Sequence, residues 1–262
     1  MGIKHYAQVY RGFVSTSFTE ATSFRLNFLL LIIMDLFFYV SVLATVSFIF
    51  DHVETIGPWN RTQLMFFMSF MLVIDHLHMT FVSESFWMLS THLKTGELDF
   101  TLLKPVNSIF SVFFRHVRPS SLCNIFVTWG LLIYYGRQVP LTTLDWVLLP
   151  PLILLSFTLL CLIEFIIASS MFWVTEGLGI NFLRMQIQQL SRWPDYIYGI
   201  LSRKILTIAL PVLLIGSAPV HFLFDKSRYL PLGGMVIAIL GSFVVLRWIW
   251  ARGLRRYDSA SS

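Results

Sequence analysis

Long apolar runs alternate with polar stretches along almost the whole chain. Most of these runs approach or exceed the roughly 20 residues that an α-helix needs to cross a hydrocarbon core of about 30 Å. The pattern therefore predicts an all-α polytopic membrane protein, with a single transmembrane domain over residues 1–262 and six transmembrane helices. The predicted spans are residues 26–50, 64–82, 119–135, 145–168, 205–224 and 230–250.

The residues before the first span follow a different pattern. Apolar side chains recur at helical spacing from Ile3 and Tyr6 to Tyr10, Phe13 and Phe18, while polar side chains fill the other face. A helix with one apolar and one polar face is typical of a membrane surface. Residues 1–25 are therefore predicted to form an N-terminal amphipathic interface helix.

The polar stretch between the second and third spans, residues 83–107, gathers charges that the rest of the chain keeps apart. Gly96 interrupts it and Pro105 ends it, so we predict a short helix over 84–94, a turn and a further half-turn. The residues alone leave two interpretations open, a solvated connector or a docking surface for a soluble partner. The candidate docking residues are Glu84, Trp87, Lys94, Glu97, Asp99 and Lys104.

Composition excludes a soluble domain, since 56% of the residues are hydrophobic and only 13% are charged. The net charge of +5 then indicates basic loops beside membrane lipids and not nucleic-acid binding. In the six-span arrangement, all lysines and arginines lie on the side of the termini except Arg61, Arg137, Lys226 and Arg228. This asymmetry predicts cytoplasmic N and C termini, a cytoplasmic tail over 251–262, and two cytoplasmic polar regions, 83–107 and 175–204.

Four titratable residues of special interest fall inside predicted spans, namely Asp35, Asp75, His78 and Glu164. A carboxylate at the centre of a membrane helix costs on the order of 3 kcal/mol, so it needs a partner or a function. Asp75 and His78 are three residues apart and share a helix face, which would suit a metal half-site or a proton relay. The alternatives are hydrogen bonds that lock helices together, or side chains that line a path.

Several catalytic signatures are missing from the sequence. Without a GxxxxGK[ST] loop the chain does not hydrolyse ATP by the P-loop mechanism. HExxH, CxxC and GxSxG are also missing, and Cys123 and Cys161 lie in apolar runs, where we expect them to be packing residues. We therefore predict no catalytic activity and no bound cofactor or metal for this chain, with any ATP hydrolysis on a separate subunit.

Three separated stretches carry a resemblance to a known family. Residues 96–100 read GELDF and residues 102–106 read LLKPV. They resemble the cytoplasmic GELD…LLKPV motif of bacterial ABC transporter permeases of the ABC-2 type. Residues 172–212 resemble the family's connection between its fourth and fifth spans, and residues 253–262 resemble its C-terminal tail. The likeness covers nearly the full length of the chain.

The resemblance implies an export-type permease subunit in the bacterial cytoplasmic (inner) membrane, forming a translocation path with a second permease chain, identical or related. It also implies that residues 83–107 hold a cytoplasmic coupling helix that docks on an ABC ATPase dimer, where ATP and magnesium bind. Closure of that dimer would displace the coupling helix as a lever. Family members have a re-entrant pair before the last span, and the stretch from Pro211 to Pro219 occupies the matching place.

Two other functions stay open on the sequence. Asp75, His78 and Glu164 could form the site of an intramembrane lipid-modifying enzyme. Alternatively, residues 83–107 could serve a membrane anchor that binds a soluble partner and transports nothing.

Overall fold

The computed structural model describes residues 2–174 and 177–257, and helices make up most of this part of the chain. The helices are α1 (Ile3–Ser23), α2 (Arg25–Phe50), α3 (Arg61–Phe81), α4 (Ser83–Thr95), α5 (Glu97–Leu102), α6 (Ser108–Phe113), α7 (Pro119–Leu122), α8 (Ile125–Gly136), α9 (Thr143–Ser169), α10 (Gly177–Ser191), α11 (Ile200–Lys204), α12 (Leu214–Phe224) and α13 (Leu230–Arg256). Two antiparallel strands, β1 (Thr55–Ile56) and β2 (Trp59–Asn60), form a short hairpin. The end of the bundle that carries this hairpin is called the hairpin end below, and the opposite end is called the α4 end.

Four helical stretches are long and apolar enough to cross a membrane. They are α2, α3 continued by α4 over Arg61–Thr95, α9 with the turn that follows it over Thr143–Phe172, and α13. The predicted spans 26–50, 64–82, 145–168 and 230–250 each fall inside one of them. Periodicity and length are therefore sufficient to find the helices whose surfaces are mostly apolar.

The predicted span 119–135 is not one continuous helix. The chain forms α7, breaks at Cys123 and Asn124, and resumes as α8. At the break Asn124 turns its side chain to α2, where Nδ2 donates to the Ile32 carbonyl at 3.3 Å. With 12 residues, α8 is about 18 Å long, so α6, α7 and α8 together link the α4 end to the hairpin end.

The predicted span 205–224 is also not a straight helix. The helical stretch Ile200–Ala209, whose second half is π-helical, meets α12 at 102°. The turn between them contains Pro211, which cannot donate a backbone hydrogen bond. Both flanks of this bent pair lie at the hairpin end, because Tyr196 before it and Phe224 at its end both pack on Trp59.

Helix α10 joins the two ends of the bundle. It begins at the α4 end, where a Cβ on Gly177 would approach Ser90 Oγ to 2.3 Å, and it leads to Tyr196 at the hairpin end. Its polar residues Asn181, Arg184, Gln188 and Ser191 are buried, whereas Leu178, Phe182 and Leu183 are more than half exposed. The polar region predicted over 175–204 thus contains a helix whose polar face points inward and meets groups on α3, α4 and α9.

Aromatic rings fill the core at the α4 end. Phe113 of α6 stacks on Phe165 of α9 with ring centres 4.1 Å apart, and Trp250 of α13 lies against Phe113. Cys161 is buried in this region, as predicted for a packing residue, while Cys123 is exposed. Helix α1 confirms the predicted amphipathic helix, and its rings of Tyr6, Tyr10 and Phe13 all surround Phe110 of α6.

Candidate functional site

The buried charges of α3 and α9 are paired with the inward face of α10. Asp75 of α3 is 1% exposed. Its carboxylate accepts hydrogen bonds from Gln188 Nε2 at 2.9 Å and from Arg192 Nε, just beyond α10, at 2.8 Å. The guanidinium of Arg192 also lies 5.0 Å from the ring centre of Phe38. Asp75 therefore ties α3 to α10 and to the residue that follows it.

Glu164 of α9 has two partners of its own. His78 Nε2 is hydrogen-bonded to Glu164 Oε2, and Arg184 Nη1 lies 3.1 Å from the same oxygen. All three side chains are at most 2% exposed. A buried carboxylate is tolerated only when it is paired, because without a partner nothing offsets the free-energy cost of removing it from water. We call Asp75, His78, Glu164, Arg184, Gln188 and Arg192 the polar ladder.

Helix α4 rests directly on this ladder through Phe86. The guanidinium of Arg184 lies 4.1 Å from the centre of the Phe86 ring, and the His78 ring stacks on the same phenyl group at 5.9 Å. Asn181 Nδ2 of α10 donates to the Phe86 carbonyl at 3.2 Å. A displacement of α4 must therefore disturb contacts to α3, α9 and α10 together.

Asp35 of α2 is held in a separate polar pair. Its carboxylate accepts hydrogen bonds from Ser121 Oγ at 2.7 Å and from Arg118 Nη2 at 3.2 Å. These contacts join α2 to α7 and to the residue just before it. Arg118 precedes a span that sequence reasoning placed too early, so its pairing with Asp35 was not foreseen.

The predicted helix over 84–94 and the turn at Gly96 are confirmed, and the helix α5 stands where a half-turn was predicted. Gly96 has φ 76°, in the left-handed region where a helix C-terminus favours glycine. Leu98 is fully buried and anchors α5. The backbone of this segment is thus fixed on one side and open on the other.

The candidate docking residues lie mainly on the open side of α4 and α5. Glu84, Trp87, Lys94, Glu97 and Lys104 are exposed, and Asp99 is half-buried. Glu97 lies 3.2 Å from His92 Nε2, and Glu84 borders a cavity of about 420 Å³ that α1 and α2 also line. Sequence reasoning missed two neighbours in the same motif, since Phe100 is 71% exposed and Leu103 is 81% exposed. Exposed apolar side chains among charges are typical of protein contact surfaces.

A small basic cluster lies behind this surface. Burial, together with the neighbouring charges of Arg115 and His92, lowers the pKa of His116 to about 4. Burial and Arg115 also lower the pKa of Lys104. The imidazole of His116 is therefore neutral at pH 7, and its backbone N–H donates to Ser85 Oγ of α4 at 3.2 Å.

The three residues considered for an enzyme site do not share one set of contacts. Asp75 binds Gln188 and Arg192, while His78 and Glu164 bind each other and Arg184. Within residues 2–174 and 177–257 no group of three or more His, Cys, Asp or Glu is placed to hold a metal ion. Asp75 and His78 each take part in interhelical pairing, which is one of the alternatives that the sequence left open.

Three ladder residues on or just beyond α10 were missed as site residues, although the sequence carries a signal for them. From Gly177 the buried positions recur at intervals of four and three residues, through Asn181, Arg184, Gln188 and Ser191. That is one helix face. A polar face of this kind is stable inside a membrane bundle only when it contacts buried charged groups on neighbouring helices.

Comparison with known proteins adds a family. A model of the family described as ABC-2 family transporter protein matches residues 28–261. Comparisons with curated proteins and with solved structures found no match.

Proposed function

Because this chain belongs to the ABC-2 family of transporter proteins, we propose that it is the permease of an exporter and that α4 and α5 couple it to a separate ATPase. Membership of this family makes it a multi-pass membrane protein and a permease component of an ABC transporter. The proposal adds the direction of transport, the ATPase dimer that holds ATP and magnesium, a second permease chain and the bacterial cytoplasmic membrane.

The observation that supports coupling is the two-sided character of α4. Its inner side places Phe86 on Arg184 and His78. Its outer side, with α5, presents Trp87, Phe100 and Leu103 among charges. A soluble partner bound to the outer side can therefore act on the polar ladder through one rigid helix, which is the form that a coupling helix requires.

The same contacts support a six-crossing path that differs from the predicted one. We propose that α2, α3, the α7 to α8 segment, α9, α10 and α13 cross the membrane, and that residues 200–224 enter from the hairpin end and return to it. Such broken helices are tolerated at membrane depth where protein surrounds them. Pro211 to Pro219 then forms the re-entrant element that the resemblance implies.

This path changes the number of lysines and arginines counted at each end of the bundle, but the end with the termini keeps the larger number. Arg203 and Lys204 move to the hairpin end, and Arg184 and Arg192 become buried ladder residues. Eleven lysines and arginines then lie at the end of the termini, against six at the hairpin end. The six are Arg61, Arg137, Arg203, Lys204, Lys226 and Arg228. The asymmetry still favours cytoplasmic termini.

The test of coupling is purification of the chain from its native membranes, with identification of bound proteins and an ATPase assay. We expect a P-loop ATPase to be retained. Phe100→Ala with Leu103→Ala should weaken its binding roughly thirty-fold, the effect of losing about 2 kcal/mol at a hot spot. The matched control is Val53→Ala with Leu144→Ala, exposed apolar positions near the hairpin end, which should change nothing.

Each outcome has a distinct meaning. A folded, monodisperse chain that retains no ATPase contradicts the proposal. Retention that both double variants reduce equally refutes the assignment of α5 as the docking surface. An ATPase that is retained but drives no nucleotide-dependent transport would identify the chain as an anchor.

A further inference from the structure

A basic and aromatic pocket lies at the C-terminal end of α13, away from the polar ladder. It has a volume of about 700 Å³ and is lined by Trp173, Trp248, Ile249, Arg252, Arg255 and Arg256. Within the part of the chain that the structure describes, no carboxylate forms an ion pair with any of the three guanidinium groups. The pocket thus presents three positive charges that this part of the protein leaves uncompensated.

The walls of this pocket are held by close packing. A Cβ on Gly253 would lie 2.3 Å from Phe172 Cδ2, so the glycine lets α13 approach the chain that leaves α9. This approach places Trp173 opposite the arginines. Trp250 Nε1 donates to Ser108 Oγ at 2.9 Å, and the Arg252 guanidinium lies 4.1 Å from the Trp248 ring.

A separate apolar groove lies nearer the N-terminus of α13, beyond the pocket. Small and aliphatic residues of α13 form one side of a cavity of about 670 Å³, three isoleucines of α9 form another side, and residues 207–211 with Leu214 form the third. The residues of the first two sides are Gly234, Ala238, Gly241, Ser242 and Val245 on α13, and Ile163, Ile166 and Ile167 on α9. Steps of three and four residues carry this face from Gly241 through Val245 and Trp248 to Arg252.

The dimensions fit one leaflet of a bilayer. Half of a hydrocarbon core is about 15 Å thick, which corresponds to roughly ten residues of helix. Ten residues separate Arg252 from Ser242 in the groove. A charged group at Arg252 and an acyl chain at Ser242 therefore lie at the depths that a single phospholipid spans.

We propose that this face of α9 and α13 binds an anionic phospholipid. The lipid phosphate lies against Arg252, Arg255 and Arg256, because guanidinium groups match phosphate oxygens in paired hydrogen bonds. Trp173 and Trp248 lie at the level of the headgroup, where indole rings favour the interface. The acyl chain fills the groove, where the small side chains of α13 admit it.

The inference does not depend on the proposed coupling to an ATPase. The proposed ligand is an organic phosphate with an attached acyl chain. The groove would hold the acyl chain, which free phosphate lacks. A second copy of the chain is a less favoured occupant, since three arginines on one face would repel the same three on another.

Lipid retention by the purified full chain tests the proposal. The chain is equilibrated in detergent with phosphatidylglycerol or phosphatidylcholine, and bound lipids are counted by native mass spectrometry. We expect retention of phosphatidylglycerol over phosphatidylcholine. Replacement of Arg252, Arg255 and Arg256 together by glutamine should weaken it about a hundred-fold, whereas Arg247→Gln, on the same helix but outside the pocket, should not.

Further arms distinguish the source of the phosphate. Gly241→Leu should block the groove and lower phosphatidylglycerol retention, and inorganic phosphate at millimolar concentration should not displace the lipid. Equal retention of both lipids, or equal retention by the triple variant, overturns the proposal. Displacement by inorganic phosphate, or a Gly241→Leu variant that loses only self-association, also overturns it. The single variant Arg255→Gln, expected to lose about five-fold, keeps the test valid should the triple variant fail to fold.

Discussion

Replacement of Arg184 by methionine tests whether the polar ladder holds α10 in the bundle. Arg184 lies 3.1 Å from Glu164 Oε2 and 4.1 Å from the centre of the Phe86 ring, and it is 1% exposed. The variant leaves Glu164 buried with His78 as its remaining partner. Removal of one member of a buried ion pair costs about 3–5 kcal/mol. We expect a loss of stability in that range, which also includes the lost contact with Phe86.

The assay follows the thermal exposure of Cys161, which is buried beside this site. The purified chain carries Cys123→Ser, because Cys123 is exposed, and is heated in lipid nanodiscs with a thiol-reactive dye. A loss of 3–5 kcal/mol corresponds to a midpoint roughly 6 to 20 °C lower for a chain of this size. The midpoint of the charge-retaining Arg184→Lys variant should lie between those of the wild type and Arg184→Met, since lysine keeps the charge but lacks the planar guanidinium group.

The decisive control is the double variant Arg184→Met with Glu164→Gln. It removes the negative charge that Arg184→Met leaves behind, so it should recover most of the lost stability. Equal midpoints for the single and double variants would refute the reasoning, because the loss would then come from packing of the Arg184 side chain and not from an unpaired carboxylate.

Two further predictions concern the path of the chain and its response to pH. In the Cys123→Ser background, a cysteine at Ser202 should react with a membrane-impermeant maleimide added to intact cells. A cysteine at Thr95 should react only after lysis. If both react only after lysis, the re-entrant path is refuted and residues 205–224 form a single crossing. His116 has its pKa lowered from 6.5 to about 4 in the folded chain, so the unfolded chain binds more protons between these values and stability should fall as pH drops from about 6.5 to 4. His116→Gln should lose less stability than the wild type over this window when midpoints are measured, and parallel curves would exclude the linkage.

The sequence was most informative where one residue type decides local structure. Gly96 ends α4 because its backbone adopts a positive φ, and this could be read from a glycine between two helical patterns. Four predicted spans fall in helices that are long and apolar enough to cross a membrane, where a helix satisfies its own backbone groups. The exposed Phe100 and Leu103 were not foreseen, since an apolar residue beside charges predicts burial as readily as exposure.

The partners of Asp35, Asp75 and Glu164 could not be deduced, because each lies in a distant part of the chain. Asp75 precedes Arg192 by 117 residues, and Asp35 precedes Arg118 by 83. A sequence without a fold shows that a buried carboxylate needs a cation and does not show which one. Once α10 is recognised as a helix with a polar inward face, Arg184 on that face and Arg192 just beyond it become the natural candidates for Glu164 and Asp75.

The inward polar face of α10 also constrains how the protein reaches its membrane. As an isolated segment, α10 would insert poorly, since Arg184 alone costs about 2.5 to 3.5 kcal/mol at the centre of a bilayer and its leucines and isoleucines return only about 0.3 to 0.6 each. Asp75, His78, Phe86 and Glu164 all precede α10 in the chain. They are therefore already synthesised when α10 leaves the ribosome. In the proposed path, α10 therefore enters the bilayer by packing against the helices that precede it, which provide a polar environment that lipid lacks.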